Sequence, residues 1–551
     1  LFCLYEVICA QGAAALPKYD YYELKYTGSY PIRDILQLCT TVSDSVLTLI
    51  VPGVPGEIKM LKSGSVHNLF EGKDIKGILV QQPGLSMKCR FYTDSLSGRG
   101  SLDLYNDDLS FKGELVKSGD DFILTGGRPF LTESEMQEDV LQLKRMVEYI
   151  HPATFYFTSQ KQFESNFSTR LDKLKTLAKD DSLNINEFYS YVAPLVAQIG
   201  CGHARVSIPA DISYNINEAV MFPLPLYITG DKAYVSMSNS SDIPPGAEVI
   251  TVNGIKVNEV ISTLKNCIPA DAQLETTKYY RLNGRFFHTL FRWCYGGFEN
   301  FTIDAKISNS KKISKYHLSG ISTEKLNQYY PQPNDPNPVK RHLSLNHLPE
   351  YNASVLRIAT FGFYNDNKGF QHFIDSTFLN LKTMHVDNLI IDLRRNGGGD
   401  PFCSSYLLRY IANKPVEYFS KDVGSFYGNL TKPLEPFENA FKGNLWILTD
   451  AGCMSSTTHL LALLKYHKFG KIAGSETAGN YRCNDNSKTF TLLNSGIQFT
   501  IARKTFSVAV EGQAKERGII PDYIIEQTLN DVLNKTDATL NYVLNNLKVN
   551  R

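Results

Sequence analysis

The sequence predicts an α/β multidomain protein led by a separate all-β N-terminal domain. Three observations point there: 551 residues exceed what one hydrophobic core serves, short apolar strands with turn signals fill the early chain, and strand alternates with helix toward the end. At 43% hydrophobic and 21% charged residues the composition is that of a globular protein. Lys and Arg total 57 against 56 Asp and Glu, a formal charge of +1 that removes the electrostatic case for nucleic acid or an anionic membrane surface as partner.

Residues 1–19 read as a signal-peptide remnant and leader. The first twelve residues are largely apolar, although Glu6 interrupts them, and no initiating Met precedes them. The implied location is exported, periplasmic or extracellular. No later segment reaches the roughly 18 to 20 uninterrupted apolar residues of a membrane span, so no integral span is expected. Residues 20–128 are the β-rich domain, with strands at 46–51 and 101–105 that end at Pro52-Gly53 and Asn106-Asp107. No catalytic cluster is visible in it.

At Thr132 the period changes, and residues 129–212 form the helical start of the next unit. Thr132-x-x-Glu135 is a capping box, and Met136, Val140, Leu143, Val147 and Ile150 fall on one helical face before His151-Pro152. A second helix, at about 186–199, leads to Gly200-Cys201-Gly202-His203-Ala204-Arg205, which puts His203 on a helix-to-strand turn. Residues 213–308 form a small inserted β-rich module, where a strand ends in an Asn253-Gly254 turn before a helix at about 258–264. Residues 309–345, with the polar, Pro-rich run 329–338, read as a linker. Residues 346–551 alternate strand 355–359, helix 370–381, strands 389–393 and 445–448, and a helix after Ser455, the order of an α/β core with a substantially parallel sheet. Loops at the strand ends of such cores carry the chemistry.

The ten cysteines include no CxxC pair and no Cys/His spacing suited to a tetrahedral zinc site, so neither a structural metal nor a cofactor is expected. Their even number permits disulfides such as Cys39–Cys89 or Cys267–Cys294, and free buried thiols fit equally well.

Two segments of the core carry chemistry. Asp392-Leu393-Arg394-Arg395-Asn396-Gly397-Gly398-Gly399-Asp400 follows a buried strand, and its glycines let backbone N–H groups approach a substrate closely. No Lys-Ser/Thr follows, so a P-loop is excluded, whereas an oxyanion cradle and a plain tight turn both fit. In Asp450-Ala451-Gly452-Cys453-Met454-Ser455-Ser456, a serine stands at a strand-to-helix turn with the Ser456 N–H free to donate at the helix start. The same spacing describes an ordinary N-cap serine.

From about Thr132 onward the chain resembles the C-terminal processing peptidases, in the branch that includes the tricorn core protease and interphotoreceptor retinoid-binding protein. The matching pieces are Ile199 to Ala204, Leu356-Arg357-Ile358 with Phe361, Asp392 to Gly399, Ser455 through Gly474 to Glu476-Thr477-Ala478-Gly479, and Gly518-Ile519-Ile520-Pro521-Asp522, in the family's order. The resemblance implies a crotonase-like core, an inserted PDZ-like module and Ser455 as nucleophile of a serine peptidase. In the family the serine is activated by a lysine or by the histidine of a Gly-His motif. Asn480 stands where the lysine would be, so His203 becomes the base. A carboxylate before the terminal Gly-x-x-Pro-Asp would orient it: Glu516, with Glu511 as the alternative. Ser456, Gly397 and Gly398 would hold the oxyanion. Cys201 departs from a frequent Asp of the family, and Cys453, two residues before the serine, reads as small-residue packing.

The expected function is hydrolysis of peptide bonds through a Ser-His-Glu acyl-enzyme, on an exported or unfolded protein or peptide, with an oligomeric assembly also compatible. Imidazole, with a reference pKa of roughly 6.5, suits the base near neutrality. A catalytically silent peptide- or ligand-binding protein on the same fold is the alternative, and an esterase a third reading.

Overall fold

A computed structural model describes residues 19–27, 33–43, 46–51, 58–62, 69–72, 87–93, 100–105, 110–119, 130–177, 182–208, 220–237, 242–307 and 312–549. The leader expected at 1–19 therefore lies almost entirely outside the described residues. Among those described, no helix is long and apolar enough to cross a membrane.

The β-rich start closes into a barrel of eight antiparallel strands, from Tyr19–Tyr26 to Ser110–Gly119, each paired with the next and the last with the first. Alternate residues point inward, and Tyr22, Leu24, Leu36, Leu38, Leu47, Leu49, Leu102 and Leu104 fill the interior. Closure removes the free edges that an open sheet of this length exposes. The barrel docks on the hairpin formed by Lys488–Thr491 and Gln498–Ile501: Asp34 pairs with Lys488 (2.9 Å) and Arg503 (2.8 Å), and the buried Gln37 accepts from the Thr491 N–H at 2.8 Å.

The first helix spans Glu133–Ile150 and is closed by the expected capping box of Thr132 and Glu135. Its predicted apolar face is buried. The helix Gln160–Leu177, which the sequence pattern did not signal, packs on it, and its low apolar content explains the omission. Helix Ile185–Ala197, capped by Asn184, delivers the chain through Gly200 (φ 71°) to the short strand Arg205–Ser207, which pairs with Gln498–Ile501.

The inserted region is an antiparallel sheet whose strands run in the order Leu226–Thr229, Lys232–Val235, Glu248–Val252, Asn300–Lys306, Ile313–Ser319. The Asn253-Gly254 turn has positive φ at both residues (50° and 81°), as a tight hairpin requires, and helix Val257–Asn266 follows. Helices Glu275–Leu282 and Phe286–Tyr295 complete it. The linker stretch contains the short helices Thr323–Tyr329 and Pro338–His342.

The last part is a six-stranded sheet in the order Leu343–Leu348, Ala353–Ile358, Asn388–Asp392, Asn444–Thr449, Lys471–Gly474, Tyr523–Ile524, parallel apart from its first pair. Helices Asn367–Thr383, Pro401–Ile411 and Ser456–His467 bury one face, and Ala538–Val549 covers the other. The central strands are apolar on both sides, as a sandwiched parallel sheet requires.

Candidate active site

The central parallel strands Asn388–Asp392 and Asn444–Thr449 run side by side, so the loops that leave their ends are neighbours. The first is the glycine loop. Asp392 and Asp537 bracket Arg394 at 2.7 to 3.0 Å, which anchors the loop's base to the C-terminal helix. Buried Asn396 donates to the Ile358 carbonyl (3.1 Å) and accepts from the Gly398 N–H (2.9 Å). A Cβ on Gly398, where φ is 98°, would lie 2.7 Å from both the Met454 carbonyl oxygen and Ser455 Cβ. Only glycine lets the two loops touch.

The second loop turns at Asp450, which accepts from the Gly452 N–H (2.9 Å) and from the Arg395 N–H of the first loop (2.8 Å). It leads to Ser455, whose φ of 56° and ψ of −130° are foreign to an L-residue outside a constrained turn. Such a conformation costs on the order of 1–3 kcal/mol. The surroundings hold it: the Ser455 carbonyl accepts from Thr458 Oγ1 (2.9 Å) and the His459 N–H (3.0 Å). Although Ser455 occupies the position before helix Ser456–His467, its hydroxyl does not cap that helix. The ordinary N-cap role is thereby excluded, and the hydroxyl instead reaches the Cys483 thiol. The N–H groups of Ser456, Gly397 and Gly399 have no hydrogen-bond partner among the described residues, whereas that of Gly398 is held by Asn396.

The Gly-His turn arrives beside this elbow. Gly202 touches the end of the Met454 side chain, and the Gly202 N–H donates to Asp271 Oδ1 at 2.7 Å. Asp271 is 4% exposed and belongs to the inserted region, 69 residues beyond Gly202. Its second oxygen, Oδ2, is buried without a partner, and so is Nδ1 of His203. Burial raises the Asp271 carboxyl above the usual range, with the neighbouring His203 opposing the shift. On the other ring edge, His203 Nε2 lies 3.6 Å from Asp485 Oδ2, at the end of strand Arg482–Asp485. No hydrogen bond joins His203 to Ser455 among the described residues; the Ser455 hydroxyl is hydrogen-bonded to Cys483, which also feels the charges of Asp485 and Asp271.

The expected carboxylates stand elsewhere. Glu516 is exposed and lies 3.7 Å from Lys515, Glu511 is exposed as well, and neither contacts His203 among the described residues. The segment around them has a different structural use: Glu476 takes Arg517 in two bonds of 2.8 Å and accepts from the Gly518 N–H, and Thr477 accepts from the Ile519 N–H. Asn480 braces a turn, accepting from the Arg482 N–H and donating to the Lys515 carbonyl. Cys453 is fully buried among Thr449 and Leu393, with burial pushing its thiol far up, which leaves no thiolate to attack a substrate.

Four residues of the cluster escaped the sequence reading. Asp271 and Asp485 come from remote loops and leave no local trace. Cys483 sits on an unremarkable strand. His459 did carry a signal, since position i+4 from Ser455 lies on the same helix face. It is buried, edge-on to Phe419, and burial pulls its imidazole down to about 3, with His203 pushing the same way.

Comparison with known proteins places this geometry. The model of peptidase family S41 matches residues 352–525. No curated protein matches the chain. Among solved structures, mature CPAF complexed with lactacystin is similar at a TM-score of 0.51 and 14% identity, over 76% of this chain and 98% of that one. Mature CPAF alone gives 0.50 and 14%, over 76% and 96%. The photosystem II D1 C-terminal processing protease gives 0.37 and 16%, over 73% and 96%. At such identities the structural likeness speaks for the fold. The family match spans both loops of the elbow and the Glu476-to-Asp522 lock, so residues 352–525 are similar to the serine peptidases of family S41.

Proposed function

We propose that the chain hydrolyses peptide bonds of exported or unfolded proteins through an acyl-enzyme on Ser455, with His203 as general base and Asp271 as the carboxylate that orients it. The observation that carries this reading is the strained, non-capping Ser455 packed against Gly398, beside a histidine flanked by two carboxylates. A serine that neither caps nor relaxes is one presented for attack.

His203 takes the hydroxyl proton as Ser455 adds to the scissile carbonyl, and later returns it to the leaving amine. Asp271 suits the orienting role better than Glu516. Its buried Oδ2 and the buried His203 Nδ1 are a complementary acceptor and donor, and each lacks any other partner. The Gly202 N–H fixes the carboxylate through its other oxygen. Asp485, about a third exposed, faces Nε2 at 3.6 Å, beyond hydrogen-bond reach, and leaves it open to Ser455. The N–H groups of Ser456 and of Gly397 or Gly399 receive the oxyanion, while Gly398 contributes close approach and not a donor.

The core reads as crotonase-like and the module at 213–308 as PDZ-like; its sheet continues past that boundary into the alternating, half-exposed edge strand Ile313–Ser319, which is available to an extended peptide by strand addition. The remaining boundaries (20–128, 129–212, 309–345 and 346–551) belong to the same proposal, although the inserted sheet runs on into Ile313–Ser319 and the last sheet begins at Leu343. Export fits a substrate pool of unfolded chains.

The test is hydrolysis of casein between pH 5 and 9 by wild type, Ser455→Ala and His203→Ala. Activity confined to wild type and rising through a pKa near roughly 6.5 supports the reading. Activity in Ser455→Ala contradicts it, and a folded but inactive wild type favours the silent binding protein.

A further inference from the structure

The geometry points to a second property of the cleft: a site for Zn2+ made by Cys201, His203 and Asp271, whose occupation switches the peptidase off. The inhibitory part rests on the reading of His203 as base; the binding part does not. One ligand atom from each of the three lies within 4.8 Å of the other two. Tetrahedral zinc needs sulfur at about 2.3 Å and nitrogen or oxygen at about 2.0–2.2 Å from the metal, so side-chain adjustments of about an ångström bring all three to one centre.

Two further observations single this cluster out from a chance meeting of polar residues. Asp271 Oδ2 and His203 Nδ1 are both buried with no hydrogen-bond partner, in a cleft where Cys201 and Asp271 are almost wholly sequestered. Space above the carboxylate is also kept clear by glycine: a Cβ on Gly479 would lie 3.3 Å from Oδ2, and one on Gly202 3.4 Å from Oδ1. Buried polar atoms in native proteins nearly always have partners, and these two open valences are met either by each other, as in the catalytic arrangement, or by an ion shared between them.

The donor set selects the ion. Sulfur, imidazole nitrogen and a single carboxylate oxygen suit Zn2+ and exclude Ca2+ and Mg2+, which require oxygen cages. Binding releases the Cys201 thiol proton to solvent. The thiolate and the Asp271 carboxylate then cancel the two charges of the metal, leaving a neutral centre in a buried place. Three protein ligands leave the fourth position to water. Zinc on Nδ1 fixes the ring proton on Nε2, which then has no lone pair to accept the Ser455 proton, so the same contact that fills the site removes the base. The sequence could not display this site, because its ligands are split between the Gly-His turn and an insertion, and Cys201-x-His203 matches no zinc spacing.

The experiment titrates the full chain with Zn2+ against a chromophoric chelator, and separately with Co2+, while casein hydrolysis is followed. Wild type is expected to bind one equivalent, to show a thiolate-to-Co2+ charge-transfer band, and to lose at least tenfold in activity, restored by EDTA. Cys201→Ala, outside the catalytic machinery, should keep its hydrolysis without metal, lose the Co2+ band, bind Zn2+ at least tenfold more weakly and resist inhibition. Asp271→Asn should also bind more weakly, read by the chelator alone and independent of activity; far-ultraviolet circular dichroism establishes that each variant is folded. Equal Zn2+ affinity in wild type and Cys201→Ala, a Co2+ complex without the sulfur band, or activation by Zn2+ would each overturn the proposal. Binding through Cys201 with activity unaffected would leave the metal site standing and remove His203 as base.

Discussion

The nucleophile side and the base side of the cleft are built in opposite ways. On the nucleophile side, two loops from adjacent parallel strands fix Ser455 through the backbone: Asp450 and Asn396 bind main-chain groups, Gly398 permits contact, and the helix start receives the turn. On the base side, His203, Asp271 and Asp485 come from a turn, an insertion and a hairpin; the Gly202 N–H ties Asp271 to the turn, and the facing side-chain atoms keep open valences. Backbone geometry is thus set for the step that must be positioned most tightly, and the proton-handling groups retain freedom that substrate or a metal can take up. Polar atoms left unpaired in a buried place are costly, on the order of 1–3 kcal/mol each, and both sides carry some: His203 Nδ1 and Asp271 Oδ2 on the base side, Ser456 Oγ and Thr457 Oγ1 after the nucleophile.

That contrast can be broken at several points. Ser455→Ala should lower kcat by on the order of 10^5 to 10^6-fold, with the melting temperature unchanged or raised as the strained conformation relaxes, read by casein hydrolysis and calorimetry. Asp271→Asn should lower kcat by about 10^2 to 10^4-fold with KM nearly constant, since it disturbs the base and not the binding of substrate. An equal loss in Glu516→Gln, with Asp271→Asn fully active, would return the orienting role to Glu516. Gly398→Val should cost about 10^2-fold or more in kcat by displacing Ser455, and should also destabilise, because φ there is 98°. Asp485→Asn is expected to change kcat less than tenfold, since that carboxylate is about a third exposed.

Stability supplies a milder test. Burial lowers His151 and His288 to about 4 and His459 to about 3, so the folded protein carries these imidazoles neutral. Their folded pKa values lie below the unfolded value of roughly 6.5, so their contribution is complete above that pH and is lost as pH falls through the interval down to 4 or 3. Each depressed unit is worth about 1.4 kcal/mol. His288→Gln should therefore flatten the decline in melting temperature between pH 6 and 4; an unchanged slope would contradict a neutral, buried His288.

The nucleophile side was also the side legible in the sequence. Asp392 to Gly399 and Gly452 to Ser456 announce themselves by glycine density and by position after apolar strands, and the parallel core follows from the alternation of elements. Thr132 and Glu135, likewise, mark their helix through purely local chemistry. The base side gave only His203. Nothing adjacent in sequence ties Asp271 to it, and the Glu511-to-Asp522 stretch drew attention by likeness although Arg517 and Gly518 bind Glu476 and leave Glu516 in solvent. The barrel was readable as β-rich from its turn signals, but closure depends on pairing Tyr19–Tyr26 with Ser110–Gly119, a long-range event no local pattern records.

The central claim is that Ser455 is an activated nucleophile. Its most direct test is labelling of the folded wild-type chain, His203→Ala and Ser455→Ala with a peptidyl phosphonate, with the modified residue mapped by mass spectrometry. The account predicts stoichiometric modification at Ser455 in wild type, labelling at least a hundredfold slower in His203→Ala and none in Ser455→Ala. Modification at any other residue, or the same rate with and without His203, would contradict it.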